Sequence, residues 1–208
     1  ERIIVSLAPA HVKKHGPFFD LAIAVGYLKA SEKFEFDTDK IIFVGELALD
    51  GSLRKIQGML PIVKFAKDKK FQEIFIPAEN AIEAGLVEGI KIYPAENLAD
   101  VLNHLNKNKI LKEQKKTLLK NINKEIEVDF ENIKGQAVAK RGLLLAGTGG
   151  HNISFQGPPG TGKTMLSKAF KEILPTPNES ELLEITTIYS SAGLLSSENF
   201  AQRPFRAP

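Results

Sequence analysis

Residues 157–164 read Gly-Pro-Pro-Gly-Thr-Gly-Lys-Thr, and no other stretch of the chain constrains its fold as tightly. A short strand pattern, His151–Gln156, precedes the loop. An amphipathic helical pattern follows it, with Met165, Leu166, Phe170, Ile173 and Leu174 on one side and Pro175 and Pro177 as its stop. Strand, glycine-rich turn, helix is the context in which G-x-x-x-x-G-K-[ST] holds phosphate. Gly157, Gly160 and Gly162 permit the backbone conformations that turn successive N–H groups inward as a nest for phosphate oxygens. Pro158, Pro159 and Thr161 complete the loop. Lys163 sets a positive charge against the β- and γ-phosphates, the Thr164 hydroxyl is placed to ligate Mg²⁺, and the helix opening there points its positive end at the same anion. The pattern predicts a nucleoside triphosphate site.

Upstream, β-rich runs at Arg2–Ala8, Lys40–Leu49, Glu73–Pro77 and Lys91–Pro94 alternate with helical spacing over Asp20–Ala30, Met59–Lys69, Ala78–Glu88 and Glu96–Asn106. Asp50-Gly51 marks a hairpin. The alternation implies an α/β domain with an antiparallel piece added. Between Lys107 and Lys124 stand seven lysines and one acid, Glu113, with Leu111, Leu118 and Ile122 at roughly helical spacing. Two readings stand: a solvated, partly helical linker, or a basic face that touches nucleic acid. From Val128 a second unit begins, with a lead-in over Asp129–Lys134 and a helical pattern over Gln136–Gly147. Glu179–Ser190 reads as a further helix despite the β-branched Thr186, Thr187 and Ile188.

Composition narrows the classes. With no Cys among 208 residues, a disulfide scaffold, a cysteine nucleophile and a thiolate metal site are excluded. No apolar run is long enough for a transmembrane helix and nothing at the start reads as a signal peptide, so the expectation is a soluble, cytoplasmic protein without membrane partners. A net charge of +3 does not by itself argue for nucleic acid. The chain opens on Glu1 and stops inside Arg-Pro-Phe-Arg-Ala-Pro, and is read as part of a longer protein.

Several short motifs in order carry a resemblance. Asp129-Phe130-Glu131-Asn132-Ile133-Lys134-Gly135-Gln136, Ala139-Lys140-Arg141, Gly150-His151-Asn152, the loop with Met165-Leu166, Ile173-Leu174-Pro175, Glu184-Ile185-Thr186, Ile188-Tyr189-Ser190 with Ala192-Gly193, and Arg203–Pro208 resemble the Mg-chelatase-like AAA+ family, in its YifB/ComM branch. Leu7–Ala10, Gly16-Pro17, Asp20–Ala24, Gly45-Glu46-Leu47, Leu49-Asp50-Gly51 and Ile76–Ala81 resemble that branch's Lon-protease-like domain. The resemblance implies an α/β protein in which a degenerate Lon-like domain (1–106) and a Lys-rich linker (107–125) precede the first portion of a P-loop AAA+ module (126–208). It also implies ATP and Mg²⁺ as cofactors and a homo-hexameric ATPase that moves on single-stranded or branched DNA, as in recombination during natural transformation. The wider family's other activity, ATP-driven Mg²⁺ insertion into a porphyrin, is the alternative. Lys163 and Thr164 are the catalytic candidates, Thr164 the metal contact, and Gly157–Thr164 the nucleotide-binding set.

Two departures follow. Lon-type proteases use a Ser–Lys dyad, but Phe18 stands after Gly16-Pro17 and Leu60 stands where the Lys belongs, with Lys55 and Lys64 off register. A phenyl ring and an isobutyl group can neither attack a carbonyl nor take a proton. The acidic strand, sensor residues and partner arginine needed for hydrolysis are not among these residues, so the chain alone is expected to bind ATP and hydrolyse little. Arg141, Arg203 and Arg206 are read as surface arginines rather than arginine fingers, His11 and His15 as loop residues rather than metal ligands, His151 as structural, and Asp20 and Asp50 as cap or turn residues.

Overall fold

The computed structural model describes residues 4–7, 16–31, 35–118, 128–175, 177–195 and 203–204. The chain divides into two compact units, the first made of Glu1–Leu118 and Thr187–Leu195, the second of Leu119–Thr186 and Ser196–Pro208.

In the first unit, α1 (Asp20–Ala30) leads to β1 (Ile41–Phe43), the hairpin of β2 (Glu46–Leu47) and β3 (Leu53–Arg54), and α2 (Met59–Asp68). Then come β4 (Glu73–Pro77), a 3-10 turn (Ala78–Asn80), the one-turn helix α3 (Ala81–Ala84), β5 (Lys91–Ala95) and α4 (Leu98–Leu105). β1, β4 and β5 form a parallel sheet in that order, with Ile42 beside Ile74 and Ile74 beside Ile92. β4 is central, so it is the strand whose Ile74, Phe75 and Ile76 are all fully buried. Pro94 lacks a ladder donor and sits on β5, at the edge. Leu21, Val25, Leu53, Phe75, Tyr93, Ala95 and Val101 make the core. Phe75 is its centre, stacked on Phe43 at 5.2 Å, against Tyr93 at 5.3 Å, and edge-on to His104 at 5.1 Å.

The hairpin is where Asp50-Gly51 predicts it. Gly51 takes φ 86°, and the Asp50 carboxylate accepts from both the Ser52 amide (2.9 Å) and hydroxyl (2.6 Å), bonds that hold its pKa below the usual value. Asp20 lies in the first turn of α1 and accepts from the Leu47 amide. A buried polar pair fixes the approach to α2. Asn80 receives the Ile56 amide at 3.1 Å and donates to its carbonyl at 2.9 Å, while Glu83 accepts from the Leu60 amide, Asn80 Nδ2 and the Ser190 hydroxyl.

Four expectations in this unit need correcting. Residues 4–7, the described part of Arg2–Ala8, form no strand. Lys40–Leu49 is two strands, because the Gly45 amide donates to the Phe18 carbonyl instead of continuing a ladder. Ala78–Glu88 holds only the turn and α3, a span that ends in the Gly89 turn at φ 89°. The Lys-rich segment is not helical over 107–118. Its Gln114 amide donates to the Ile92 carbonyl of β5 and its Thr117 amide to Gly85, while Leu111 packs on the core. Partners at an open strand edge outweigh the helical spacing of Leu111 and Leu118.

In the second unit the Asp129 carboxylate caps a 3-10 turn (Phe130–Asn132) by accepting from the Glu131 amide. α5 (Ala137–Gly149) and α6 (Lys163–Ile173) pack through Ile133, Leu143, Leu166 and Ala169. A Cβ on Gly147 would stand 3.4 Å from the Phe170 ring, an ordinary van der Waals contact. α7 (Glu179–Ser191), of which residues from Thr187 on belong to the first unit, opens on a reciprocal cap, Asn178 Oδ1 accepting from the Glu181 amide and Glu181 Oε2 from the Asn178 amide, which starts the helix despite its β-branched residues. His151–Gln156 forms no strand. An isolated extended run needs a ladder partner, and no described residue of this unit is in a strand.

Candidate nucleotide site

The glycine-rich loop links the extended run at Ile153–Phe155 to α6. Phe155 anchors the near side in the α5–α6 core, and Leu166 anchors the far side. Gly160 (φ 79°) and Gly162 (φ 83°) both take the left-handed conformation, and Gly162 is the residue from which α6 starts. A Cβ at either position would meet nothing within 4 Å. Glycine is therefore required there by backbone angle, and the space over the loop is open to a ligand. Thr161 Oγ1 donates to the Pro158 carbonyl at 3.0 Å and closes the turn upon itself.

Lys163 is the first residue of α6, and its ammonium reaches back across the loop. It donates to the carbonyls of Gly157 (2.9 Å) and Pro158 (2.7 Å), with Thr161 Oγ1 at 3.4 Å. Thr164 is exposed in the first turn. Gly157, Pro158, Pro159, Gly160, Thr161, Gly162, Lys163 and Thr164 thus lie on one short arc at the N-terminus of a helix of 11 residues. One cation, the amides of a left-handed turn and a hydroxyl fit a polyphosphate. They do not make a metal site by themselves, and among the described residues no group of three or more His, Asp or Glu could hold an ion. Mg²⁺ fits here only as a companion of the nucleotide.

One contributor is missing from the sequence-derived set. Gln136 Nε2 donates to the Thr161 carbonyl at 3.4 Å. Its signal is a Gly-Gln pair immediately before a helix, where Ser, Thr, Asp or Asn is the usual cap. The lead-in is held in turn by Lys140, whose ammonium donates to the Ile133 carbonyl and lies 5.4 Å from the centre of the Phe130 ring.

Other candidates fall away from the loop. His151 follows the left-handed Gly150 that ends α5, its amide donates to Ala146, and its ring lies against Gly149. Arg141 is exposed on α5. Arg203 donates to the Pro175 carbonyl through Nε (3.1 Å) and Nη2 (2.8 Å). His11, His15 and Arg206 lie outside the described residues. Leu60 is fully buried on α2, Lys55 and Lys64 are exposed, and Phe18 is half-buried. Among the described residues no helix is long and apolar enough to cross a membrane.

The family model for subunit ChlI of Mg-chelatase matches residues 1–80, and that for magnesium chelatase, subunit ChlI, matches residues 129–208. Competence protein ComM of Haemophilus influenzae is 41% identical over 213 residues, covering 100% of this chain and 42% of ComM. YifB of Escherichia coli is 36% identical over 210 residues, covering 100% of this chain and 41% of YifB. Lon protease 2 of Bacillus subtilis is 30% identical over 99 residues, which is 47% of this chain and 18% of that protease. The chain therefore spans about two fifths of the length of ComM and YifB. Similarity along the whole chain, with ChlI matches in both halves, is consistent with the Mg-chelatase-related ComM/YifB family.

Proposed function

We propose that this chain supplies the phosphate-binding portion of an AAA+ ATPase, with Lys163 and Thr164 as its catalytic residues and Gly157–Thr164 as its ATP cradle. The observation that supports this most directly is Lys163 at the head of α6, its ammonium already drawn over a loop whose Gly160 and Gly162 are left-handed. When ATP enters, its phosphate oxygens take over the ammonium from the Gly157 and Pro158 carbonyls, and the loop amides and the N-terminus of α6 face the same charge. As water attacks the γ-phosphorus and the bond to the β-bridging oxygen breaks, these groups withdraw the charge that develops, and ADP and phosphate leave. Magnesium, held by nucleotide oxygens and the Thr164 hydroxyl, would supply further charge neutralisation.

The division of labour we propose is a non-proteolytic Lon-like domain over 1–106, a connection over 107–125 and the start of the ATPase module over 126–208. In the first of these, Leu60 is buried and Phe18 follows Gly16-Pro17, which supports scaffold over protease. The similarity to a competence protein favours a cytoplasmic, hexameric motor acting on single-stranded or branched DNA. The second reading, a chelatase-type ATPase subunit, draws support from the two ChlI matches.

The ATPase rate of the full-length protein separates the two, measured with and without single-stranded and four-way-junction DNA and with Lys163→Ala as blank. Several-fold stimulation by DNA supports the motor. A rate indifferent to DNA moves the assignment to the chelatase-type reading, and a Lys163→Ala enzyme with normal turnover removes the site.

A further inference from the structure

Gln136 is an unsuitable residue for the two local tasks of its position. It holds φ 54° and ψ 36°, the left-handed region that favours glycine, directly after Gly135 at φ 66°. It also stands at the N-cap of α5, where a short oxygen-bearing side chain is preferred, and its own side chain makes no cap bond. A residue that violates two local rules at once points to a task elsewhere. That task is visible 25 residues on, where Gln136 Nε2 reaches the Thr161 carbonyl.

We propose that Gln136 is a positioning residue of the nucleotide site, setting the Thr161–Gly162 peptide so that the Gly162 N–H faces the bound phosphates. The inference rests on the phosphate-loop reading above. In a trans peptide the carbonyl and the following N–H point in opposite directions. Holding the Thr161 carbonyl toward Gln136 therefore turns the Gly162 amide away from it. Gly162 has no side chain to resist rotation of that plane, so an outside anchor is what pre-orients it. The anchor is itself braced, since the Gln136 carbonyl accepts from the Lys140 amide at 2.9 Å and the Lys140 ammonium holds Ile133. From this left-handed backbone the side chain reaches the loop, a task that glycine or asparagine, though more comfortable here, is too short for.

The test is MgADP affinity by calorimetry on the full-length protein, together with thermal unfolding without nucleotide. Gln136→Gly relieves the backbone strain and removes the amide, and Gln136→Glu keeps the length and replaces the donor with an acceptor. The bond is neutral, so both variants should bind MgADP about 2- to 10-fold more weakly. Gln136→Gly should unfold at the wild-type temperature or above it. MgADP affinity within twofold of wild type in Gln136→Gly, with Lys163→Ala binding about 10-fold or more weaker, overturns the role of Gln136 and leaves the site standing. Wild-type affinity in Lys163→Ala overturns the phosphate-loop reading itself. A fall in unfolding temperature that parallels the loss of affinity makes Gln136 a structural residue and also overturns the proposal.

Discussion

The Lys163 ammonium lies 2.7 Å from the carbonyl oxygen of Pro158, five residues earlier in the same loop. The cation is thus held by partners that a phosphate would displace, and its contacts are all exposed ones.

Replacing Lys163 with Ala should separate binding from stability. Hydrogen bonds to charged groups contribute about 1.5–3 kcal/mol, so nucleotide affinity should fall about 10- to 100-fold. The exposed loop bonds lost with the ammonium should change unfolding free energy by less than about 0.5 kcal/mol. Fluorescent-nucleotide titration and urea unfolding of the same preparation check both halves.

Gly162→Ala tests the loop's backbone. At φ 83° an added Cβ meets no neighbour, so the cost is conformational alone, about 1–2 kcal/mol. Urea unfolding should show that loss, and nucleotide affinity should fall with it because the loop relaxes away from its left-handed turn.

Asn80→Ala should be among the most damaging changes in the first unit. It strips the Ile56 amide and carbonyl of their buried partner and takes a donor from Glu83. Each abandoned group costs about 1–3 kcal/mol, so a loss of at least about 3 kcal/mol is expected by urea unfolding.

His104 makes stability depend on pH. Burial pushes its pKa below the ordinary value of 6.5, outweighing the opposing pull of the Glu73 carboxylate, and its Nδ1 accepts from the Leu111 amide at 3.0 Å. The unfolded chain therefore takes up the proton first. The contribution is complete above about pH 6.5 and is lost as pH falls below it. His104→Asn keeps an acceptor near the Leu111 amide while removing the titration. Its unfolding temperature between pH 5 and 7 should be flatter than that of wild type, though lower throughout for want of the ring contacts with Phe75 and Tyr93.

What could be read in advance followed from local rules. Asp20–Ala30, Glu73–Pro77 and the Asp50-Gly51 turn are set by side chains within a few residues of one another, and the structure has them where expected. The conformation of Gly160 and Gly162 was legible for the same reason, since the motif names the angles it needs. Pairings across long stretches of chain were not legible. Periodicity cannot reveal that Gln114 finds Ile92, that Gly45 donates to Phe18, or that His151–Gln156 lacks a ladder partner among the described residues. Gln136 falls within a motif, yet nothing in the sequence ties it to the site, because a contact spanning 25 residues leaves no local pattern.

The segment 107–118 lies against β5, an edge strand whose Ile92 carbonyl it covers through Gln114 and which Pro94 interrupts. Bare edges are templates for other chains. A piece of this protein cut after Asn106 would carry an uncapped, apolar β5 and a tendency to aggregate through it, whereas one cut after Leu118 would keep its own cover and stay dispersed.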